Sequence, residues 1–237
     1  EFEDTITTET KYWAGASDAL RTVMAIELDS SASLRSSGNE ADYIVITHNS
    51  FASAATTLAD YRTFLDLSAL AVDVQDVYDE FSYGVTEPLA IREFLAYAYV
   101  SWVAPAPSYV VLMGDGNYDP KNFLNYGRPS YIPPYLLPVD PWMQETAADN
   151  RYVTLVGTDL MPDMMLGRLA VNSLAEAEAM VAKVIDYENS LPIGDWRQQV
   201  LAVTDNADSG GNYPWLSDNL ISCCIPSSYS VQKIYYS

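Results

Sequence analysis

Apolar residues fall along this chain in short runs that end abruptly in polar turns rich in carboxylates and glycine. Residues 43–46 (Tyr-Ile-Val-Ile) stop at Thr47-His48-Asn49, residues 69–74 at Gln75-Asp76, and residues 108–113 at Gly114-Asp115-Gly116-Asn117-Tyr118-Asp119-Pro120. Residues 152–156 run into Gly157-Thr158-Asp159, and residues 200–203 into Thr204-Asp205-Asn206-Ala207-Asp208. Near-continuous apolar runs of this length predict strands buried on both faces, the habit of a parallel sheet. The polar punctuation predicts that His48, Asp115, Asp159 and Asp205 gather at one carboxyl edge, where open α/β sheets place their ligands.

Helical spacing fills the intervals. Residues 13–28 carry an apolar stripe, and Ser50 is placed to cap a helix reaching about Tyr61, with Phe51, Ala54, Ala55 and Leu58 on its inner face. Glu87-Pro88 opens another, because proline is tolerated in a first turn and Ile91, Phe94, Leu95, Ala98 and Trp102 recur at helical period. Ser173-Leu174-Ala175-Glu176 reads as a capping box ahead of a stripe of Met180, Val181, Val184 and Ile185. A short helix over residues 215–221 precedes a last apolar strand at 230–236. Strands alternating with such helices imply right-handed crossovers and a parallel sheet. Residues 117–141 break the pattern: Pro120, Pro129, Pro133, Pro134, Pro138 and Pro141 crowd a stretch with neither period, which predicts a long ordered loop. A boundary between two subdomains is expected near its end, dividing residues 1–145 from 146–237. No internal repeat is visible.

Charge narrows the choice of partner. Twelve basic residues stand against 32 acidic ones, a net charge of -20, which argues against nucleic acid and anionic membrane surfaces. Such an excess serves solubility, and it leaves a saline habitat or divalent cation binding as further readings. With 18 tyrosines and 5 tryptophans the chain is not an acidic disordered tail. No run of 18 apolar residues offers a membrane span. The chain opens on Glu1 without a basic-then-apolar leader, which leads us to expect an internal piece of something longer. Cys223 and Cys224 are adjacent and give neither a bridge framework nor metal-ligand spacing, so they are expected to be buried or half-buried thiols.

Several polar residues are candidates for chemistry. Asp115, Asn117 and Asp119 have the one, three, five spacing of a calcium loop, but the sixth position is Pro120 and the twelfth Tyr126, which rules out an EF-hand. The choice is between Asx turns and an irregular calcium site, and no cofactor is otherwise required. His48 is either a hydrogen-bonded structural residue or the base for a thiol at Cys223 or Cys224. The latter pairing is disfavoured because both thiols fall at a helix C-terminus, where the dipole opposes a thiolate. Asp205 and Asp208 end a strand and are suited to orienting a histidine, binding a basic side chain or capping a turn. Asp218 is a weaker candidate for recognising a cationic side chain. Gly167-Arg168 is expected to pin the sheet edge through an arginine–carboxylate bond.

Taken in order, Ala41-Asp42-Tyr43-Ile44-Val45-Ile46-Thr47-His48, Asp76-Val77-Tyr78-Asp79-Glu80-Phe81-Ser82-Tyr83-Gly84, Gly114-Asp115-Gly116-Asn117-Tyr118-Asp119, Asp149-Asn150-Arg151-Tyr152, Gly157-Thr158-Asp159, Asp163 and Gly167-Arg168-Leu169 resemble the gingipain-type cysteine peptidases. The resemblance runs from about Lys11 to Tyr236. It implies a caspase-like α/β/α sandwich with a mainly parallel sheet in two subdomains, the second incomplete. It also implies secretion or a cell-surface location, polypeptide substrates, further domains of the same parent chain, and peptide-bond cleavage by a Cys-His dyad. In the family that dyad resides in a Gly-His-Gly segment one strand further on and in a later strand-end cysteine, and neither motif occurs here. The fragment alone is therefore expected to be inactive. The family also places an acid that assists the histidine near Asp205 to Asp208, which makes Asp208 or Asp205 the candidate orienting acid. Two alternatives remain from the residues themselves: a non-catalytic binding or scaffold module of the same fold, and a carboxylate-based phosphate or metal hydrolase using Asp115 and Asp205. No lysine sits on a matching strand end to support the last.

Overall fold

The computed structural model describes residues 32–125, 127–142, 144–190 and 194–236; the helix expected over residues 13–28 lies outside them. The apolar run starting at Tyr43 is β1 (Tyr43–Thr47), and every one of its residues is buried. It is flanked in parallel by β2 (Ala69–Asp73) on one side and β3 (Tyr109–Met113) on the other. A fourth parallel strand, β6 (Met165–Leu169), pairs with β3, so the sheet order is β2-β1-β3-β6. Successive strand residues point to opposite faces, and the packing follows that alternation. Ile44, Ile46, Val72, Val110 and Leu112 pack with the helices α2 (Val74–Ser82) and α3 (Pro88–Ser101). Tyr43, Val45 and Met113 pack on the other side with α1 (Ala52–Phe64) and α4 (Leu174–Asn189). The result is the three-layer α/β/α arrangement expected from strands separated by helices.

The helix boundaries follow local chemistry. Glu87 precedes Pro88 at the start of α3, where a missing N–H costs nothing. At α4 the Ser173 hydroxyl accepts the Glu176 amide hydrogen at 3.3 Å, while the Glu176 carboxylate reaches back to the Asn172 amide at 2.8 Å. That is a capping box displaced by one residue. α1 differs from expectation at its start. Asn49–Phe51 form a 3-10 turn leading into α1; His48 caps that turn, its Nδ1 accepting the Ser50 amide hydrogen at 3.1 Å, while α1 itself begins after Phe51 without a side-chain cap.

The strand expected over residues 152–156 does not form. Asp149–Tyr152 is a 3-10 turn, and the chain beyond it is irregular until β6. The apolar character of this run is used for anchoring: Tyr152 and Val153 are fully buried, and the Tyr152 hydroxyl donates to the Pro133 carbonyl at 2.8 Å. Backbone groups that a ladder would occupy are taken by side chains instead. Arg92 donates to the Arg151 and Thr154 carbonyls at 3.2 and 2.8 Å, and the Asp163 carboxylate accepts from Leu155 and Val156 N–H at 2.6 and 2.8 Å. The Val156 and Leu155 amides hold the Asp163 carboxyl below its ordinary range. The proline-rich stretch also contains more structure than its sequence announces: β4 (Leu136–Asp140) and β5 (Gln144–Ala147) form an antiparallel hairpin with an irregular register near Pro138. The four-stranded sheet spans the boundary expected at residue 145, since β6 lies beyond it and β3 before it.

The remaining segment is a β-α-β unit. β7 (Gln199–Thr204) and β8 (Ser230–Tyr235) pair in parallel, with α5 (Tyr213–Cys224) between them in sequence. Among the described residues no ladder joins this pair to the four-stranded sheet.

On the face opposite α2 and α3, α1 and α4 are clamped together by a forked ion pair. Arg62 Nη1 and Nη2 donate to Glu188 Oε2 and Oε1 at 2.7 and 2.9 Å, and the guanidinium lies 5.3 Å above the Tyr43 ring. These hydrogen bonds hold the Glu188 carboxyl below its ordinary value of 4.5. A lowered folded value means that the pair stabilises the fold above the unfolded carboxylate's titration and ceases to as pH falls through the folded one. The carboxylate is about a third exposed, which limits the contribution to about 1 kcal/mol or less. Glu188→Gln is therefore expected to lower the melting temperature at pH 7 by roughly 2 to 4 °C, with the gap from the parent chain closing as pH falls below 4.5. A gap independent of pH would mean that the side chain acts through packing.

Candidate functional site

The order of the strands reverses between β1 and β3, since the chain leaves β1 toward β2 and returns to place β3 on β1's other flank. A crevice outside the carboxyl ends of these two strands is the place where an α/β sheet binds ligands. Here those ends carry Thr47-His48 and Gly114-Asp115. The long loop folds back over them. Tyr131 and Ile132 amides donate to the Asp115 carbonyl at 2.9 and 3.2 Å, and the Tyr131 hydroxyl donates to the Asn172 carbonyl at 3.1 Å. The Tyr131 ring packs 4.7 Å from Phe51 and stands edge-on to His48 at 5.2 Å. The switch point is plugged by this chain's own side chains.

Arg168 locks the plug. From the fourth residue of β6 its Nε donates to Asp149 Oδ2 at 2.7 Å, Nη1 to the Gly114 and Ile132 carbonyls at 2.8 Å each, and Nη2 to the Pro133 carbonyl at 3.2 Å. A planar fork of donors fits this divergent set of acceptors as an ammonium would not. The edge-pinning arginine–carboxylate bond anticipated for Gly167-Arg168 is thus present, with Asp149 as the acid. Beneath it, burial pushes the Tyr152 phenol well above its ordinary value.

The other candidate residues are occupied locally. Asp115 Oδ1 accepts from Gly116 N–H at 2.9 Å and Oδ2 from Asn172 Nδ2 at 3.1 Å. Asn117 Oδ1 accepts from Asp119 N–H at 2.8 Å, and the Asp119 carboxylate accepts from Phe123 and Leu124 N–H at 2.9 and 2.7 Å. These three oxygen-bearing side chains build the turn, and among the described residues no cluster of three His, Cys, Asp or Glu side chains is arranged to hold a metal. Asp159 accepts from Met161 N–H at 2.8 Å in the loop that enters the amino end of β6, so it does not join His48 and Asp115 at the carboxyl edge. Asp205 follows β7, in the separate two-stranded sheet. Of the four residues expected on one edge, the sheet brings together His48 and Asp115.

Beyond β7, Asp205 Oδ1 accepts from Asn206 N–H at 2.8 Å and Asp208 Oδ1 from Gly210 N–H at 2.7 Å. Both line a shallow depression with Thr204, Tyr213, Leu216 and Ser217. Asp218 is engaged within the chain: its Oδ1 accepts from Lys233 Nζ at 2.8 Å and from the Tyr235 hydroxyl at 2.6 Å, bonds that hold its carboxyl below and the Lys233 ammonium above their ordinary ranges. Cys223 and Cys224 are exposed at the end of α5 and joined as a vicinal disulfide, in place of the buried thiols expected. Adjacent cysteines near a helix end carry no packing stripe, so burial had no means of reaching them. The residues missed in the sequence are the tie-down groups Arg92, Asp149 and Asn172. Asp149 lay within a recognised motif, but nothing local announced its partner at Arg168.

A sequence model of peptidase family C25 matches residues 36–237. A search of curated proteins finds no match. Among solved structures, the complex of pro- and mature domains of RgpB from Porphyromonas gingivalis is similar at 20% identity and a TM-score of 0.60, covering 82% of this chain and 42% of that one. Dimeric latent PorU from Porphyromonas gingivalis is similar at 22% identity and a TM-score of 0.52, covering 77% of this chain and 21% of that one. At these identities the likeness establishes the fold, a gingipain-type caspase-like architecture. The chain spans less than half the length of either structure.

Proposed function

Because the chain belongs to peptidase family C25, the gingipain family of cysteine peptidases, we propose that it is the leading part of a secreted or cell-surface endopeptidase that cleaves polypeptides with a Cys-His dyad supplied C-terminal to these residues. The observation that carries this reading is the plugged switch point. The chain's only histidine spends its Nδ1 on capping a helix, and Tyr131 fills the crevice that a substrate would need. Acyl transfer requires a nucleophile, a base and an oxyanion hole within hydrogen-bond reach of one another, and no such set converges among the described residues. The first sheet then serves as a rigid platform, and the β7-α5-β8 unit begins the lobe that holds the chemistry. In that lobe Asp208 or Asp205 is the acid we assign to orienting the histidine, from the carboxyl end of β7. Asp218 is assigned no substrate contact while Lys233 holds it. Further domains of the same parent polypeptide complete the enzyme.

The test is to express residues 1–237 and a longer product of the same reading frame and to assay both on unstructured polypeptide under reducing conditions. The account expects no thiol-dependent hydrolysis by the 237-residue chain and hydrolysis by the longer one. Losing nucleophile and base together should remove most of the rate enhancement, many orders of magnitude. An inactive longer product lacking a Gly-His-Gly segment would favour the binding-module alternative. No cofactor enters this reading. Since the oxygens of Asp115, Asn117 and Asp119 bond to the loop's own N–H groups and to Asn172, the melting temperature is expected to be the same in chelator and in millimolar calcium. A rise in calcium would place an ion at this turn.

A further inference from the structure

His48 does two jobs at once. Its Nδ1 caps the turn that opens α1, and its ring packs against Tyr131, the residue that plugs the switch point. Phe51, one turn along, touches both rings, with centroids 6.2 Å from His48 and 4.7 Å from Tyr131. Cap and plug therefore share one aromatic cluster. Accepting the Ser50 amide hydrogen requires a neutral imidazole with its proton on Nε2.

We propose that His48 is an acid-sensitive element that, beside the Arg168 lock, steadies the long loop over the carboxyl edge of the sheet at neutral pH and loosens it on acidification. A proton taken from solvent onto Nδ1 turns the acceptor into a donor facing the Ser50 N–H. The cap is lost, and the new positive charge sits at the positive end of the helix dipole. The ring must then turn away from Ser50, which removes the edge-on support from Tyr131. The titratable groups on the surrounding elements are Asp73 at the end of β2, Asp115 beyond β3, Tyr131 on the loop and Glu176 in the first turn of α4. Asp73 accepts from Gln75 N–H, Asp115 from Gly116 N–H and Asn172, and Glu176 from Asn172 N–H. Among the described residues none of them forms an ion pair with the imidazole. Because Nδ1 accepts the Ser50 amide hydrogen only while the ring is uncharged, protection is present at neutral pH and is reduced on acidification.

The test compares the parent chain with His48→Asn, which keeps a capping oxygen but does not titrate. Hydrogen–deuterium exchange, corrected for the intrinsic pH dependence of exchange, is followed by mass spectrometry at pH 7.5 and 5.5 in peptides covering residues 48–52 and 129–134. In the parent chain protection of both segments is expected to fall about fivefold at the lower pH, the loss of one helix cap. In His48→Asn it should stay level. Unchanged protection in the parent chain would overturn the proposal, as would an equal fall in His48→Asn, which would assign the effect to carboxylates. A fall confined to residues 48–52 would likewise overturn it, because the loop would then be held independently of the cap.

Discussion

Arg168→Ala is expected to lower the melting temperature by roughly 10 °C. The guanidinium makes four hydrogen bonds, one to Asp149 and three to the carbonyls of Gly114, Ile132 and Pro133, while its side chain is only 15% exposed. Removing it leaves a largely covered carboxylate without its counter-charge and three carbonyls without their common donor. Breaking such a pair from one side costs about 3 kcal/mol or more, and in a chain of this size each kcal/mol corresponds to about 2 to 4 °C. Arg168→Lys should recover only part of the loss, since one ammonium cannot reach acceptors spread around a planar fork. Thermal unfolding followed by circular dichroism reads both variants. A shift below about 2 °C for Arg168→Ala would show that the loop is held without it.

A methyl group at Gly116 is expected to be nearly as damaging. A Cβ built there would collide with the Ile132 carbonyl oxygen and lie 3.0 Å from Pro134 Cδ, and neither neighbour is the flexible end of a side chain. Gly114 is constrained twice: its φ is +150°, and a Cβ would meet Tyr131 Cβ at 2.8 Å and Ile132 Cγ1 at 3.0 Å. Overpacking against a fixed backbone costs about 1 to 3 kcal/mol, and the unusual dihedral adds a similar amount at Gly114. We expect Gly116→Ala to destabilise by up to about 3 kcal/mol and Gly114→Ala by about 3 kcal/mol or more. Both should also raise hydrogen exchange in residues 129–134, because the loop can relieve the clash only by lifting from the sheet edge. Wild-type exchange in that segment would show that the glycines serve some other need.

Both predictions concern contacts between residues far apart in sequence, and the same property separates what was legible in the chain from what was not. β1 was legible because a strand buried on both faces is apolar without interruption, β2 and β3 because their runs are nearly so, and α3 and α4 because a helix with one buried face repeats at 3.6 residues. β6 was not, since Gly167 and Arg168 interrupt its apolar run, and the loop's need for a guanidinium at that point overrides strand pattern. Residues 152–156 misled for the converse reason. They are apolar enough for a strand, but Arg92 and Asp163 claim their backbone groups from elsewhere in the chain. The hairpin β4–β5 was hidden by Pro138, which an exposed two-stranded ribbon tolerates. The polar residues after β1 and β3, His48 and Asp115, marked the carboxyl edge, whereas Asp159 and Asp205 do not lie on it. That Tyr131 fills the crevice between the ends of β1 and β3 depends on a loop closing back over 15 residues and more, which no local period encodes.

The proposal that the reacting groups of a family C25 peptidase lie C-terminal to residues 1–237 can be checked by labelling a longer product of the same reading frame with a thiol-directed peptidyl inhibitor and mapping the modified cysteine by mass spectrometry. A label is expected on a cysteine C-terminal to Ser237, lost when that residue is replaced and unaffected by Cys223→Ala or Cys224→Ala. A label on Cys223 or Cys224, abolished by their substitution and by His48→Asn, would contradict it and make His48 the base.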